Sequence, residues 1–172
     1  TAGNAAGLTS GIARIGADGK GSWVSVQAVS GVATLTKMAT NSSIAVSKDQ
    51  KTIYALVNDD YVKGVRQRGY LLALDSSILS LKGKVQLIDP NEQLPANISD
   101  DSTASPLVAP DGDVYMGVSD ATYGSHNARG WLLHFNGDLS QTKLPGSFGW
   151  DDTPSIVPAN LVPSYKGTSS YL

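Results

Sequence analysis

Asp59 and Arg68 stand nine positions apart, and Asp120 and Arg129 repeat the pair at the same separation later in the chain. Asp60, Tyr61 and Arg66 lie inside the first interval, and Tyr123, His126 and Asn127 inside the second. Carboxylate, guanidinium, phenol, amide and imidazole groups gathered on two loops suit recognition of a polar ligand, since each offers charge or directional hydrogen bonds. The candidate ligand-binding set is therefore Asp59, Tyr61, Arg66, Arg68, Asp120, Tyr123, His126, Asn127 and Arg129. A second reading competes with it. Each Asp/Arg pair can instead be an ion pair closing the base of its own loop, and the repetition at one spacing favours that reading.

Other chemistry finds less support. The two histidines are His126 and His134. A catalytic role for His126 needs a nucleophile or carboxylate at motif spacing, and none is present, so no catalytic residue is assigned. His134 falls where the earlier copy has Ala73, inside an apolar run, which predicts a packed or rim side chain. Asp100-Asp101 and Asp151-Asp152 could offer oxygen ligands to calcium, but two isolated pairs lack the alternating ligands of a self-contained loop. Asp before Ser or Thr also accepts backbone N–H groups in turns. Asp111-Gly112-Asp113 reads as a hairpin turn. No metal site and no cofactor is assigned, and the absence of cysteine excludes disulfides, thiolate ligands and cysteine nucleophiles.

These residues must be held by something that repeats. Tyr54/Tyr115, Val57/Val118, Asp59/Asp120, Arg68/Arg129, Gly69/Gly130 and Leu72/Leu133 keep a single offset of 61 residues. Self-similarity over such a length points to a repeat architecture. No segment carries a capped 3.6-residue period, so almost no helix is expected. Instead, short apolar runs recur between turn residues. Residues 43–47 alternate, 52–57 and 69–74 are apolar on both faces, and 78–88 are more polar. The order returns in 106–109, 114–118, 130–135 and, after the turn 136–138, an irregular outer strand up to 150, with loops 58–68 and 119–129 at matching places. Strands apolar on both faces need a neighbour above and below. Four-stranded antiparallel sheets stacked around an axis provide one, which predicts the blades of a β-propeller.

Partial units flank the complete ones. Residues 11–23 resemble a third strand, turn and fourth strand, and residues 151–158 echo 100–108. The expected division is 1–40 for the end of a preceding blade, 41–99 and 100–150 for two blades, and 151–172 for the start of another. In that last piece Tyr171-Leu172 is read as the centre of a second strand. About three blades make a partial, all-β propeller, because rings close with four to eight. The missing initial Met suggests a processed or partial chain.

The run Ser105-Pro106-Leu107-Val108-Ala109-Pro110-Asp111-Gly112-Asp113-Val114-Tyr115-Met116-Gly117-Val118, followed by Gly130-Trp131-Leu132-Leu133-His134-Phe135-Asn136, resembles the repeat of quinoprotein-like (PQQ-like) bacterial β-propellers. The resemblance covers roughly residues 40–172 and implies the propeller fold. Such propellers serve as dehydrogenases, assembly scaffolds and binding modules, so the fold does not choose among them. The family's quinone-using alcohol dehydrogenases often carry an adjacent Cys pair, absent here, and a Gly before a strand-four Trp. Gly83-Lys84 has no following Trp, and Gly149-Trp150 stands in another context.

A net charge of −2, with no like-charge run longer than a doublet, argues against nucleic-acid partners and a polybasic membrane patch. No apolar run approaches the ~18 residues of a membrane helix. The sparse charge (16 %) and Ser/Thr/Asn-rich loops point to an exported protein, and the resemblance implies a bacterial source, so a secreted or periplasmic location is expected. The leading expectation is a non-catalytic binding or scaffold module of a β-propeller protein, recognising a ligand on its loop face. The alternative is a fragment of a quinoprotein-like oxidoreductase whose cofactor site lies in missing blades. The partner is the remainder of the propeller, or another chain that completes the ring.

Overall fold

Thr52–Asp59 and Gly69–Asp75 carry apolar side chains on both faces, and each forms a strand buried on both faces. The computed structural model describes residues 9–39, 41–59, 68–98, 104–121, 130–140, 142–148 and 152–172. Eleven strands occur among them: β1 (Gly11–Ile15), β2 (Gly21–Ser25), β3 (Leu35–Met38), β4 (Ala45–Val46), β5 (Thr52–Asp59), β6 (Gly69–Asp75), β7 (Leu81–Gln86), β8 (Leu107–Val108), β9 (Val114–Ser119), β10 (Gly130–Phe135) and β11 (Thr142–Phe148). Described helix is confined to α1 (Val26–Ser30) and a 3-10 turn at Ala159–Leu161, so the chain is all-β, as its periodicity predicts.

The described strands form three antiparallel sheets. β1 and β2 make a hairpin, β3-β5-β6-β7 a second sheet with β4 also on β5, and β8-β9-β10-β11 a third. The 61-residue offset is preserved in the registers. Tyr54 faces Ala73 and Val57 faces Tyr70 across β5 and β6, while Tyr115 faces His134 and Val118 faces Trp131 across β9 and β10. The equivalence of Tyr54 with Tyr115 that the offset predicts is therefore met, and the same offset sets Tyr70 against Trp131.

Alternation along each strand sorts the apolar residues into two clusters. Tyr54, Leu56, Leu71 and Ala73 of the second sheet pack with Val114, Met116, Val118, Leu133 and Phe135 of the third. The opposite face, with Ile53, Ala55, Val57, Leu72 and Leu74, packs with Ile12 of β1, Val26 and Val29 of α1, and Leu35 of β3. By the repeat, Val114, Met116, Val118, Leu133 and Phe135 match Ile53, Ala55, Val57, Leu72 and Leu74. The sheets thus stack head to tail: the same kind of face meets the preceding unit at both junctions.

Hydroxyl acceptors tie the second unit to the third and the third to the segment after it. The Ser43 N–H donates to Ser105 Oγ (2.8 Å), and the Ser105 N–H donates to Thr153 Oγ1 (2.8 Å). Turns repeat as well. Leu79 and Leu139 both adopt left-handed backbone (φ 58° and 61°) while burying their side chains.

Three features depart from the reading of the sequence. α1 and β3 are additions to it; α1 is one turn long, too short for a 3.6-residue period, and is set by its caps. Ser25 Oγ accepts the Ala28 N–H (3.1 Å), and Gly31 ends the helix at φ 66°. The polar outer strand β7 is shorter than 78–88, and β11 begins at Thr142, beyond the turn at 136–138. Tyr171-Leu172 does not occupy the centre of a second strand: Leu172 exchanges backbone hydrogen bonds with Val157 (2.8 and 2.9 Å). It thereby takes the place of Asp113, whose carbonyl accepts the Ala109 N–H just ahead of β9. Residues 158–171 replace a tight turn there, which displaces the count along the chain.

Candidate functional site

The second and third sheets bring one end of β5 and β6 beside one end of β9. Asp59 closes β5 and is nearly buried. Its Oδ1 accepts the Arg68 backbone N–H (2.6 Å) and its Oδ2 accepts Arg68 Nε–H (2.8 Å). The Asp59 side chain is 12 % exposed and that of Arg68 47 %, so the carboxylate is built into the fold and the guanidinium sits at its edge. The hydrogen bond to Asp59 raises the pKa of Arg68 further. Of the two readings of this pair, the loop-base ion pair describes the geometry.

Asn97 joins the sheets at this end, bridging Arg68 on one side and Ser119 on the other. Close packing accompanies it: a Cβ added at Gly69 would collide with Cγ1 of Ile98. Asp120 follows β9 and is fully buried. The candidates Tyr61, Arg66, Tyr123, His126, Asn127 and Arg129 lie outside the described residues, as do Asp60, Asp100, Asp101 and Asp151. The structure therefore brings Asp59 and Arg68 together and places Asp120 at the same end of the neighbouring sheet. Asp152 is described and exposed.

Sequence reasoning missed Asp89. Its carboxylate is fully buried and accepts three backbone N–H groups: Ala121 (2.7 Å) on Oδ2, and Asn91 (2.8 Å) and Glu92 (3.2 Å) on Oδ1. It fastens the turn after β7 to the residue from which 122–129 departs. The available signal was Asp89-Pro90-Asn91, a turn-initiating Asp-Pro step.

A second polar cluster lies on the third sheet. His134 Nε2 is 2.7 Å from Asp113 Oδ2, Lys143 Nζ donates to the same oxygen, and the His134 ring stacks on Tyr115 with centroids 4.2 Å apart. Burial raises the Asp113 pKa, but the hydrogen bonds from Lys143 and His134 outweigh it and hold the carboxyl below its ordinary value. His134 is thus partly buried on a strand and hydrogen-bonded to Asp113, a partner that the apolar run around it concealed. Burial also raises the Tyr115 pKa.

Between the outer strands of the two sheets runs a cleft of about 390 Å³, lined by Gln86, Ile88, Pro90, Gln93, Leu133, Phe135, Thr142 and Pro145. None of these side chains is charged. Among the described residues no group of three or more His, Cys, Asp and Glu is placed to hold a metal ion, and no helix is long and apolar enough to cross a membrane. No protein-family model, no curated protein and no solved structure matches this chain.

Proposed function

We propose that this chain is a binding or scaffold module of an exported bacterial β-propeller protein, related to the quinoprotein-like repeats, with its ligand recognised through residues 60–67 and 122–129. The observation that carries the reading is the bridge Arg68–Asn97–Ser119, which holds the ends of both sheets side by side where those two segments begin or end. Asp59 and Asp89 engage their carboxylates with backbone N–H groups at this end, which makes it rigid. Recognition residues carried by connecting segments on a scaffold are the usual arrangement for binding. Head-to-tail stacking of equivalent sheet faces supports the propeller part of the reading, because such heterologous junctions close into rings when the rotation allows. The partner is then whatever supplies the remaining blades.

Two measurements test this. The absorbance spectrum of the full-length native protein should lack a quinone band; a band there overturns the binding-module reading in favour of the quinoprotein-like oxidoreductase. A thermal-shift screen of oligosaccharides and short peptides should find a stabilising ligand, since binding to the native state raises the melting temperature. Replacing 60–67 and 122–129 with short Gly/Ser links should abolish that shift. A shift that survives both replacements moves the site away from this end.

A further inference from the structure

One rule governs both internal junctions. The face of the second sheet with Tyr54, Leu56, Leu71 and Ala73 packs on the third sheet's Val114, Met116, Val118, Leu133 and Phe135, and Ile12 of β1, with Val26 and Val29 of α1, shares one buried cluster with the second sheet's Ile53, Ala55, Val57, Leu72 and Leu74. Applied once more, the rule leaves two faces without a described neighbouring sheet. The first is the back of the β1–β2 hairpin. Ala13 stands opposite Trp23 and Ile15 opposite Gly21, with Ile15 79 % and Trp23 55 % exposed. Trp23 lies over Gly11, where an added Cβ would come within 2.7 Å of the indole ring. The second is the face of β9–β10 with Tyr115, Gly117, Leu132 and His134. It matches the second sheet's Tyr54, Leu56, Leu71 and Ala73 residue by residue.

We propose that these two faces are the halves of one interface, made head to tail between two copies of this chain. The proposal rests on the propeller reading above and commits that reading's missing partner to a second copy. Both halves are present on one polypeptide, and each belongs to a face type that already meets the other type inside it. Exposed Trp23 and Ile15 supply the aromatic and aliphatic anchors that interface centres favour. The Ser43–Ser105–Thr153 series adds a start for the sheet that would follow: Thr153 stands to Ser105 as Ser105 stands to Ser43, which puts 155–157 in the place of a first strand. The hairpin of a second copy would bring outer strands to that place. Because the junction is heterologous, it propagates until a ring closes.

Sedimentation of the full chain across a wide concentration range tests this. Self-association is expected. Ile15→Glu and Trp23→Glu, each at an exposed position, should weaken it at least about 10-fold, because an unpaired carboxylate buried in an apolar interface costs more than that factor. Ile78→Glu, at a site 71 % exposed on the turn before β7, should leave it unchanged. Leu132→Glu blocks the other half, so mixing it with Ile15→Glu should give dimers that grow no further. Should Leu132→Glu fail to fold, the two hairpin variants decide. A chain monomeric at every concentration overturns the second-copy proposal, as does association indifferent to both hairpin variants. Neither result touches the loop-end reading, which the thermal-shift screen tests separately.

Discussion

At Asp59 the two partners of one ion pair have unequal importance. The nearly buried carboxylate accepts the Arg68 backbone N–H at 2.6 Å, whereas the Arg68 guanidinium is half in solvent and contributes little as a surface ion. Asp59→Ala should destabilise by about 1–3 kcal/mol, the cost of stranding a donor, and Arg68→Ala by less than about 1 kcal/mol. Urea titration of both variants checks the order; equal losses would mean the charge pair itself holds the loop. Asp113 makes a complementary case in pH. Its folded pKa lies below its unfolded value, so its stabilisation is present above the unfolded carboxyl pKa of about 3.9 and is lost as pH falls through the lower folded value. Stability should therefore drop in acid, and Asp113→Asn should flatten that part of the profile. A profile unchanged by the substitution would remove the Lys143–Asp113–His134 cluster from the stability of the third sheet. Leu79 and Leu139 balance two opposing terms: left-handed backbone costs a residue with a β-carbon roughly 1–2 kcal/mol, and burying each leucine offsets it by a similar amount.

Elements were legible where the chemistry was periodic and illegible where it was local. Apolar runs on both faces announced β5, β6, β9 and β10, and the shared offset predicted their registers. α1, by contrast, depends on one Ser side chain and one Gly dihedral. β3 is a four-residue strand whose place on β5 follows from tertiary contact rather than from alternation. Asp89 escaped because a buried carboxylate looks like any turn Asp until the groups donating to it are known. The Asp59–Arg68 pair, by contrast, was legible in the repeated nine-residue spacing, which favours a loop-base ion pair, and Asp59 turns back to its own strand pair. Spacing between sheets is another property that sequence hides. Gly83 of β7 faces the Asp138 carbonyl of the next unit so closely that a Cβ there would collide with it. Gly83→Ala should thus cost about 1–3 kcal/mol by overpacking. Gly146→Ala on β11, where an added Cβ meets nothing within 4 Å, should change stability far less. Denaturation midpoints of the two variants compare them directly, and equal effects would mean that backbone entropy, not the contact, sets the need for Gly83.

The second sheet lies between the two clusters, which makes it the centre of the whole molecule's stability. Ala55, Val57, Leu72 and Leu74 feed one core while Leu56 and Leu71 feed the other, and all are at most 1 % exposed. The β1–β2 hairpin buries Ile12 but presents Ile15 and Trp23 outward, and in 152–172 no residue is buried. Stability should therefore fall away from the middle in both directions. Removing the Leu72 side chain empties a packed site and should cost about 2–5 kcal/mol; because β5 and β6 carry both cores, the loss should appear in the unfolding of the second and third sheets together. Native-state hydrogen exchange makes the gradient visible, since amides that exchange only through global opening report the full unfolding free energy and frayed segments report much less. The slowest amides should lie in β5 and β6, those of β9 and β10 should follow, and those of β1, β2 and 156–172 should exchange first. Leu72→Ala should speed the slowest class by the factor its free-energy loss dictates and leave the fast class alone. If the hairpin amides proved as slow as those of β5, its outer face would be covered in solution, and measuring them at several protein concentrations would reveal whether a second copy covers it.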